Sequence, residues 1–270
     1  MKVTVITVCY NAASTIGDTI DSVEAQDHAD IEHIVVDGAS SDETLRILHA
    51  RGNDRMRIIS EPDSGLYNAM NKGLNLASGG LIGFLNADDF FCRTDAIRCL
   101  VSAAEENPDA QAVAGGVAIV NSVLPMNVVR SYSSYSFRPW MLRFGHMPPH
   151  PGFYVRRPAL AHVGGFNEQF RIAADFDWMV RFFEVHKFSV KKLRQTLVCL
   201  RAGGISTRGL RSTAVINREM GLSLARHSCF SSSILIWSKY GIKITQMALP
   251  PDDYPAPVAV RWTPGPASNA

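Results

Sequence analysis

No apolar run in this chain approaches the ~20 residues needed to cross a bilayer as a helix. Cysteine is scarce as well. Cys9, Cys92, Cys99, Cys199 and Cys229 are an odd, scattered set with no CxxC pair. That argues against a disulfide framework or a zinc site, and reduced thiols suit a cytosolic protein. No signal peptide is expected, because MKVTVITV reads as a strand from the first residues. Charge of one sign is lacking too. A formal net charge of +2 is too small a field to argue for nucleic acid as a partner. Two nucleotide motifs are missing. No GxGxxG follows the first strand, which argues against a Rossmann dinucleotide site, and the absence of GxxxxGKS or GxxxxGKT excludes a P-loop enzyme. There are no internal repeats.

What is present is an alternation of strand and helix. The 270 residues, 46% of them hydrophobic, suffice for one sizeable core and an appended subdomain. Val3–Val8 is a β-branched run. Ile16, Ile20 and Val23 recur at helical spacing, with Ser14 as a candidate N-cap. Ile31–Val36 is a second strand, closed by Asp37-Gly38. Thr44–Ala50 reads as a helix behind an Asp42 cap, and Met56–Ile59 as a short strand. Leu66, Met70, Gly73 and Ala77 line one face of a helix that stops at Gly79-Gly80. Leu81–Leu85 is the fourth strand. This order implies right-handed βαβ units and a mostly parallel sheet. Beyond Asn107-Pro108 the pattern changes. Ala112–Val120 and Val190–Leu200 read as strands, and Val128–Phe137 as a hairpin or irregular loop. Asp175 opens a helix whose apolar face is Phe176, Met179, Val180 and Phe183. The tail beyond Pro250, rich in proline and alanine, reads as disordered.

The chemistry gathers where strands end. In LIGFLNADDFF (Leu81–Phe91) an apolar strand ends in Asn86, Ala87, Asp88 and Asp89. Adjacent carboxylates repel, and a hard divalent cation relieves that cost. Ligands of open α/β sheets bind beyond the carboxyl ends of strands. The competing role for Asp89 is to cap a helix starting near Thr94. Tyr10-Asn11 and Asp37 follow the first two strands on the same edge. Tyr10 could stack on a nucleobase and Asp37 could accept from base or ribose; alternatively one is a half-buried aromatic and the other a turn residue before Gly38.

Five segments in order resemble the family 2 glycosyltransferases with a GT-A fold: TVCYN (Thr7–Asn11), VVDGASSDET (Val35–Thr44), EPDSGLYNAMNKG (Glu61–Gly73), FLNADD (Phe84–Asp89) and RIAADFDWMVR (Arg171–Arg181). The resemblance spans roughly residues 3–205. It implies a Rossmann-like α/β fold, a predominantly parallel mixed sheet flanked by helices. It also implies inverting transfer of a sugar from a nucleotide diphosphate to an acceptor hydroxyl, with Mn²⁺ or Mg²⁺. By position, Val8, Tyr10, Asn11, Asp37, Lys72 and Asp88 would meet the nucleotide sugar, and Asp88 and Asp89 the metal. Asp175 would be the general base with Asp177 its rival, and His150, Asp177 and Trp178 would lie on the acceptor or diphosphate side. Lys72 could equally be a solvated helix charge, and His150 a structural histidine.

Three positions depart from the family pattern. Asn86 replaces the first acid of the metal motif, Gly38 replaces a second Asp after strand two, and Ala174 replaces an acid before the base. Gly203–Ser206 resembles a loop that closes over donor, or is a plain glycine turn.

The expected organisation is a catalytic domain over 1–205, a helical extension over 206–249 and a tail over 250–270. In the extension, Trp237, Tyr240, Ile244 and Met247 fall on one face, with Lys239, Lys243 and Gln246 on the other. Such a helix packs on the core or lies against a membrane. The resemblance implies a glycan or lipid-linked acceptor and a cytoplasmic setting, peripheral to the inner membrane face, in surface polysaccharide or glycolipid assembly. A nucleotidyltransferase is one rival, though TVCYNAAST lacks the glycine-rich basic loop it would need. The other is a non-catalytic sugar-nucleotide-binding protein, to which Asn86 and Gly38 lend weight.

Overall fold

The structure is a computed structural model. It describes residues 1–121, 127–203 and 209–248, with side chains described except at 209–211 and 241–248. The chain runs β1 (Val3–Cys9), α1 (Ile16–Glu24), β2 (Ile31–Asp37), α2 (Thr44–Arg51), β3 (Met56–Ser60), α3 (Leu66–Leu76), β4 (Leu81–Phe84) and β5 (Asp89–Phe91). It continues through α4 (Ala96–Glu106), β6 (Ala112–Val120), β7 (Val128–Tyr132), β8 (Phe153–Arg156), α5 (Arg157–Val163) and α6 (Ala174–Val180). A π-helical turn (Arg181–Val185) extends α6, before β9 (Val190–Arg201), α7 (Gly209–Arg226) and α8 (Ser233–Ala248).

One sheet holds these strands in the order β3-β2-β1-β4-β8-β6-β9-β5, with β7 paired to β6. The first four in that order are parallel, as the strand–helix alternation requires. Every residue of β1 is buried, which suits its continuous run of β-branched residues from Val3 to Val8 rather than an alternating pattern. Cys9 pairs with Asp37, and Asp37 with Ser60, so three strands end level and their loops open on one edge. The sheet then turns mixed. β8 is antiparallel to β4 and β6, and β5 is antiparallel to β9. Gly73 lets α3 press on β1, since a Cβ there would lie 2.4 Å from the Ile6 side chain.

Several local expectations need correction. Ser14 does not cap α1, which begins at Ile16 behind Thr15 without a side-chain cap bond. Asp89 caps no helix either; it opens β5, and α4 starts only at Ala96. The 128–137 segment contributes β7, which pairs with β6 across a bulge. In the C-terminal helices, Met220, Leu224 and Ile236 join the core that holds Ile6, Phe84 and Phe176. Lys239 was expected on an outward polar face. Instead it is buried, with its Nζ 3.1 Å from Met220 Sδ and 5.3 Å from the centre of the Tyr240 ring. Leu222, Phe230, Ile234 and Trp237 are exposed. The side chains of Lys243, Ile244, Gln246 and Met247, the segment Gly204–Ser206 and the tail lie outside the described residues. No helix among those described is long and apolar enough to cross a membrane.

Candidate active site

Beyond β4 the chain folds back at once, Asp89 N donating to Asn86 O at 3.0 Å. Thr19 of α1 braces this turn from below, its hydroxyl 2.7 Å from the Asp89 carbonyl. The result is a buried Asp89 beside a more open Asp88. Burial, and then the charge of Asp88, push the Asp89 carboxyl well above the usual carboxylate range. Asn86 Nδ2 donates to Asp89 Oδ2 at 3.2 Å, which leaves Asn86 Oδ1 buried without a partner. Arg201, at the end of β9, donates to the Asp88 carbonyl at 3.0 Å, pairs with Asp18, and lies over the Phe90 ring.

A divalent cation fits this donor set. Two carboxyls and an orphaned amide oxygen are hard ligands, and a cation would return Asp89 to its charged form. Among the described residues no three His, Cys, Asp or Glu gather as a metal cluster.

At the level ends of β1, β2 and β3, Asp37 is fully buried. It accepts from Ser40 N at 3.0 Å, from the Ser40 hydroxyl, from Ser60 Oγ at 2.7 Å and from Cys9 Sγ at 3.6 Å. Four donors engage its four lone-pair sites, so Asp37 locks the strand ends and is not free to read a nucleotide. Gly38 explains itself here: a Cβ would lie 2.4 Å from Asp63 Oδ2 and 3.5 Å from Tyr10. Asp63, from the β3–α3 loop, thus occupies the space a larger residue 38 would fill, and it stands beside Tyr10, which is 66% exposed. It sits in the quoted EPDSG segment, and nothing in its local pattern marked it out.

Asn11 adopts a left-handed φ of 49° and serves its own turn, accepting from Ser41 N at 2.9 Å. Val8 is a buried strand residue. Lys72 pairs with Glu61 at 2.8 Å and donates to Pro62 O at 2.8 Å, tying down the loop rather than awaiting a phosphate.

Asp175 lies in the first turn of α6, half-buried, with its Oδ1 accepting from Phe176 N at 2.8 Å. Tyr67 Oη, from the first turn of α3, is 3.5 Å from the same oxygen. Burial raises Asp175 to about 6, and the carboxylate of Glu219 adds to the rise. At neutral pH it is therefore ionised and an unusually strong base for a carboxylate.

Its rival is placed otherwise. Asp177 is 2% exposed and holds Arg181 Nε at 3.1 Å, Ser223 Oγ at 2.8 Å and His227 Nε2 at 3.2 Å. It latches α6 to α7 and has no access to an acceptor. Trp178 is likewise core, its Nε1 donating to Gly164 O at 2.8 Å. His150 stacks on Phe84 at 5.1 Å, and burial lowers its pKa to about 4, so it is a neutral core ring rather than a charged group on the diphosphate side. The void beside it, about 10 Å³ between Phe84, His150, Phe166 and Trp178, holds at most one water. Sequence reasoning missed Tyr67, Asp63, Arg201 and Glu219. Only the last left a signal, as one of three polar residues at four-residue spacing, with Ser223 on α7 and His227 just past its end.

A model of glycosyl transferase family 2 matches residues 4–168. The chain is 33% identical over 181 residues to an uncharacterized glycosyltransferase of Mycobacterium tuberculosis, covering 66% of this chain and 68% of that one. It is 30% identical over 185 residues to a PGL/p-HBAD biosynthesis glycosyltransferase of Mycobacterium bovis, with the same coverage. Among solved structures it is similar to residues 1–349 of Staphylococcus aureus TarS in complex with UDP-GlcNAc, at TM-score 0.62 and 18% identity, over 83% of this chain and just under two thirds (66%) of that one. It is also similar to a Pyrobaculum calidifontis mannosyltransferase with GDP-Man and Mn²⁺, at TM-score 0.58 and 17% identity, covering 92% and 84%. These likenesses carry the GT-A fold.

Proposed function

The chain belongs to glycosyl transferase family 2 and is a glycosyltransferase, and we propose that it moves a sugar from a nucleotide diphosphate to an acceptor hydroxyl in one inverting, metal-dependent displacement. The observation that carries this reading is a pair of carboxylate stations on one edge of the sheet. Asp88-Asp89 follow the carboxyl end of β4, and Asp175 meets Tyr67 at the start of α3, just beyond the carboxyl end of β3. Family membership also decides against the nucleotidyltransferase alternative.

Asp88, Asp89 and Asn86 Oδ1 would hold Mn²⁺ or Mg²⁺, which when bound supplies a Lewis acid for the charge growing on the departing diphosphate. Tyr10 stacks on the nucleobase, and Asp63 takes the hydrogen-bonding role that Asp37 cannot perform. Asp175 accepts the proton of the acceptor hydroxyl as the new C–O bond forms, an assistance worth about 10²–10⁴-fold in rate. One base and one displacement leave no covalent intermediate, so the anomeric configuration inverts.

The acceptor is lipid-borne in this reading. Phe230, Ile234 and Trp237 are 74%, 82% and 51% exposed around the start of α8, beside a groove of about 570 Å³ between α7 and α8. No acidic residue occurs between Glu219 and Asp252. A segment with exposed apolar side chains and no acidic residue of its own suits the anionic inner face of a cytoplasmic membrane, where the enzyme would work peripherally.

A thermal-shift screen of UDP-, GDP- and dTDP-sugars, with Mn²⁺ and with EDTA, tests the donor and the metal together, because a ligand that binds only the native state raises Tm. One donor series should stabilise in Mn²⁺, and Asp89→Asn should lose that increment while the ligand-free variant stays folded. Equal shifts in Mn²⁺ and EDTA would refute metal dependence.

A further inference from the structure

Helix α7 carries Glu219 and Ser223 one turn apart on the face that meets α6, and His227 follows in the turn just past its last residue. Ser223 and His227 grip Asp177. Glu219, 9% exposed, reaches further toward the site. Its Oε1 accepts from Arg171 N at 2.8 Å, and its Oε2 from Ile172 N and Ala173 N at 2.9 Å each. Three consecutive backbone amides thus converge on one carboxylate, in the segment that leads directly into Asp175. The opposite side of that segment is held too, since Tyr67 Oη donates to the Ile172 carbonyl.

We propose that Glu219 is a positioning residue for the transfer reaction: its carboxylate gathers the three amides that lead into α6 and so fixes where Asp175 presents its oxygens to the acceptor. This rests on Asp175 being the base. Without the carboxylate, three amides lose their acceptor and the entry to α6 can relax. A misplacement of about 1 Å at a reacting group can cost about 10²-fold in rate. The groups facing Asp175 are Tyr67 from α3, Tyr132 from β7 and Glu219 from α7, so Glu219 is the negative charge among them. Removing that charge should also make Asp175 a weaker base.

The test compares wild type with E219Q, E219D and D175N. Asp175 is titrated by NMR of protein carrying ¹³C-labelled Asp carboxyls and assigned by its loss in D175N. Turnover is followed as UDP or GDP release from UDP-GlcNAc and GDP-Man. In E219Q the Asp175 midpoint should fall below the wild-type value, and kcat should drop about tenfold or more with KM within threefold. In E219D, which keeps the charge on a shorter stem, the midpoint should stay while kcat falls. An unmoved midpoint together with turnover within twofold of wild type in E219Q overturns the proposal. If E219Q fails to fold, E219D decides: wild-type turnover there overturns it. Wild-type turnover in D175N would instead remove the base reading, while a midpoint shift in E219Q would still show that Glu219 acts on Asp175.

Discussion

Replacing Asp175 by Asn probes the site from two directions. The ordinary carboxylate value is 3.8, and the folded protein raises Asp175 to about 6. At about 1.4 kcal/mol per pH unit this is about 3 kcal/mol, an upper bound on what holding the ionised form costs the native state at neutral pH. The sign follows from proton binding. The native state binds this proton more tightly than the unfolded chain, so the group does not weaken the fold below pH ~4 and weakens it progressively as pH rises toward 6. Asn cannot ionise, keeps the shape, and can still accept from Phe176 N. Asp175→Asn should therefore be more stable than wild type at pH 7.5, by several degrees in Tm, and the gain should shrink to nothing near pH 4. Activity should move oppositely. The wild-type kcat/KM profile should fall on the acid side with a midpoint near 6, because only the carboxylate can take the acceptor's proton, and Asp175→Asn should lose turnover while donor still binds. Differential scanning calorimetry across pH, paired with donor-turnover profiles, measures both. A variant that is destabilised at neutral pH, or that turns over at the wild-type rate, would show that Asp175 is a structural cap. Retained configuration at the anomeric carbon, seen by NMR of the product, would reject single displacement.

Asp177→Asn should behave in the reverse way: breaking a buried pair with Arg181 should cost about 3 kcal/mol, read as a lower urea midpoint, with residual turnover tracking the folded fraction. A wild-type midpoint with abolished turnover would return the base role to Asp177. The double substitution Ile234→Ser and Trp237→Ser should weaken sedimentation with phosphatidylglycerol vesicles while leaving Tm and release of nucleotide from the donor unchanged, since both side chains face outward. Vesicle binding equal to wild type would assign this face to something other than a lipid surface.

What the sequence determined by itself is local. β-Branched runs, helical spacings and glycine stops placed β1 to β4 and their helices to within a residue or two, because the alternation of burial along a segment is written in that segment. The same holds for Asp88-Asp89 at a strand end and for Asp175 at a helix start. Five ordered motifs made the family legible in the sequence itself. What only the tertiary structure decided is which polar groups are free. Asp175 and Asp177 stand two positions apart in one helix, both off its apolar face, and of the two it is Asp177 that Ser223 and His227 engage. Asp37 looked available until Ser60, from another strand, closed its last lone pair. Lys239 looked outward until Met220 and Tyr240 covered it. Asp63 and Glu219 acquired their places through Gly38 and through three amides far away in sequence. A side chain's charge state and reach depend on dielectric and partners, and those are supplied by segments that meet only when the chain has folded.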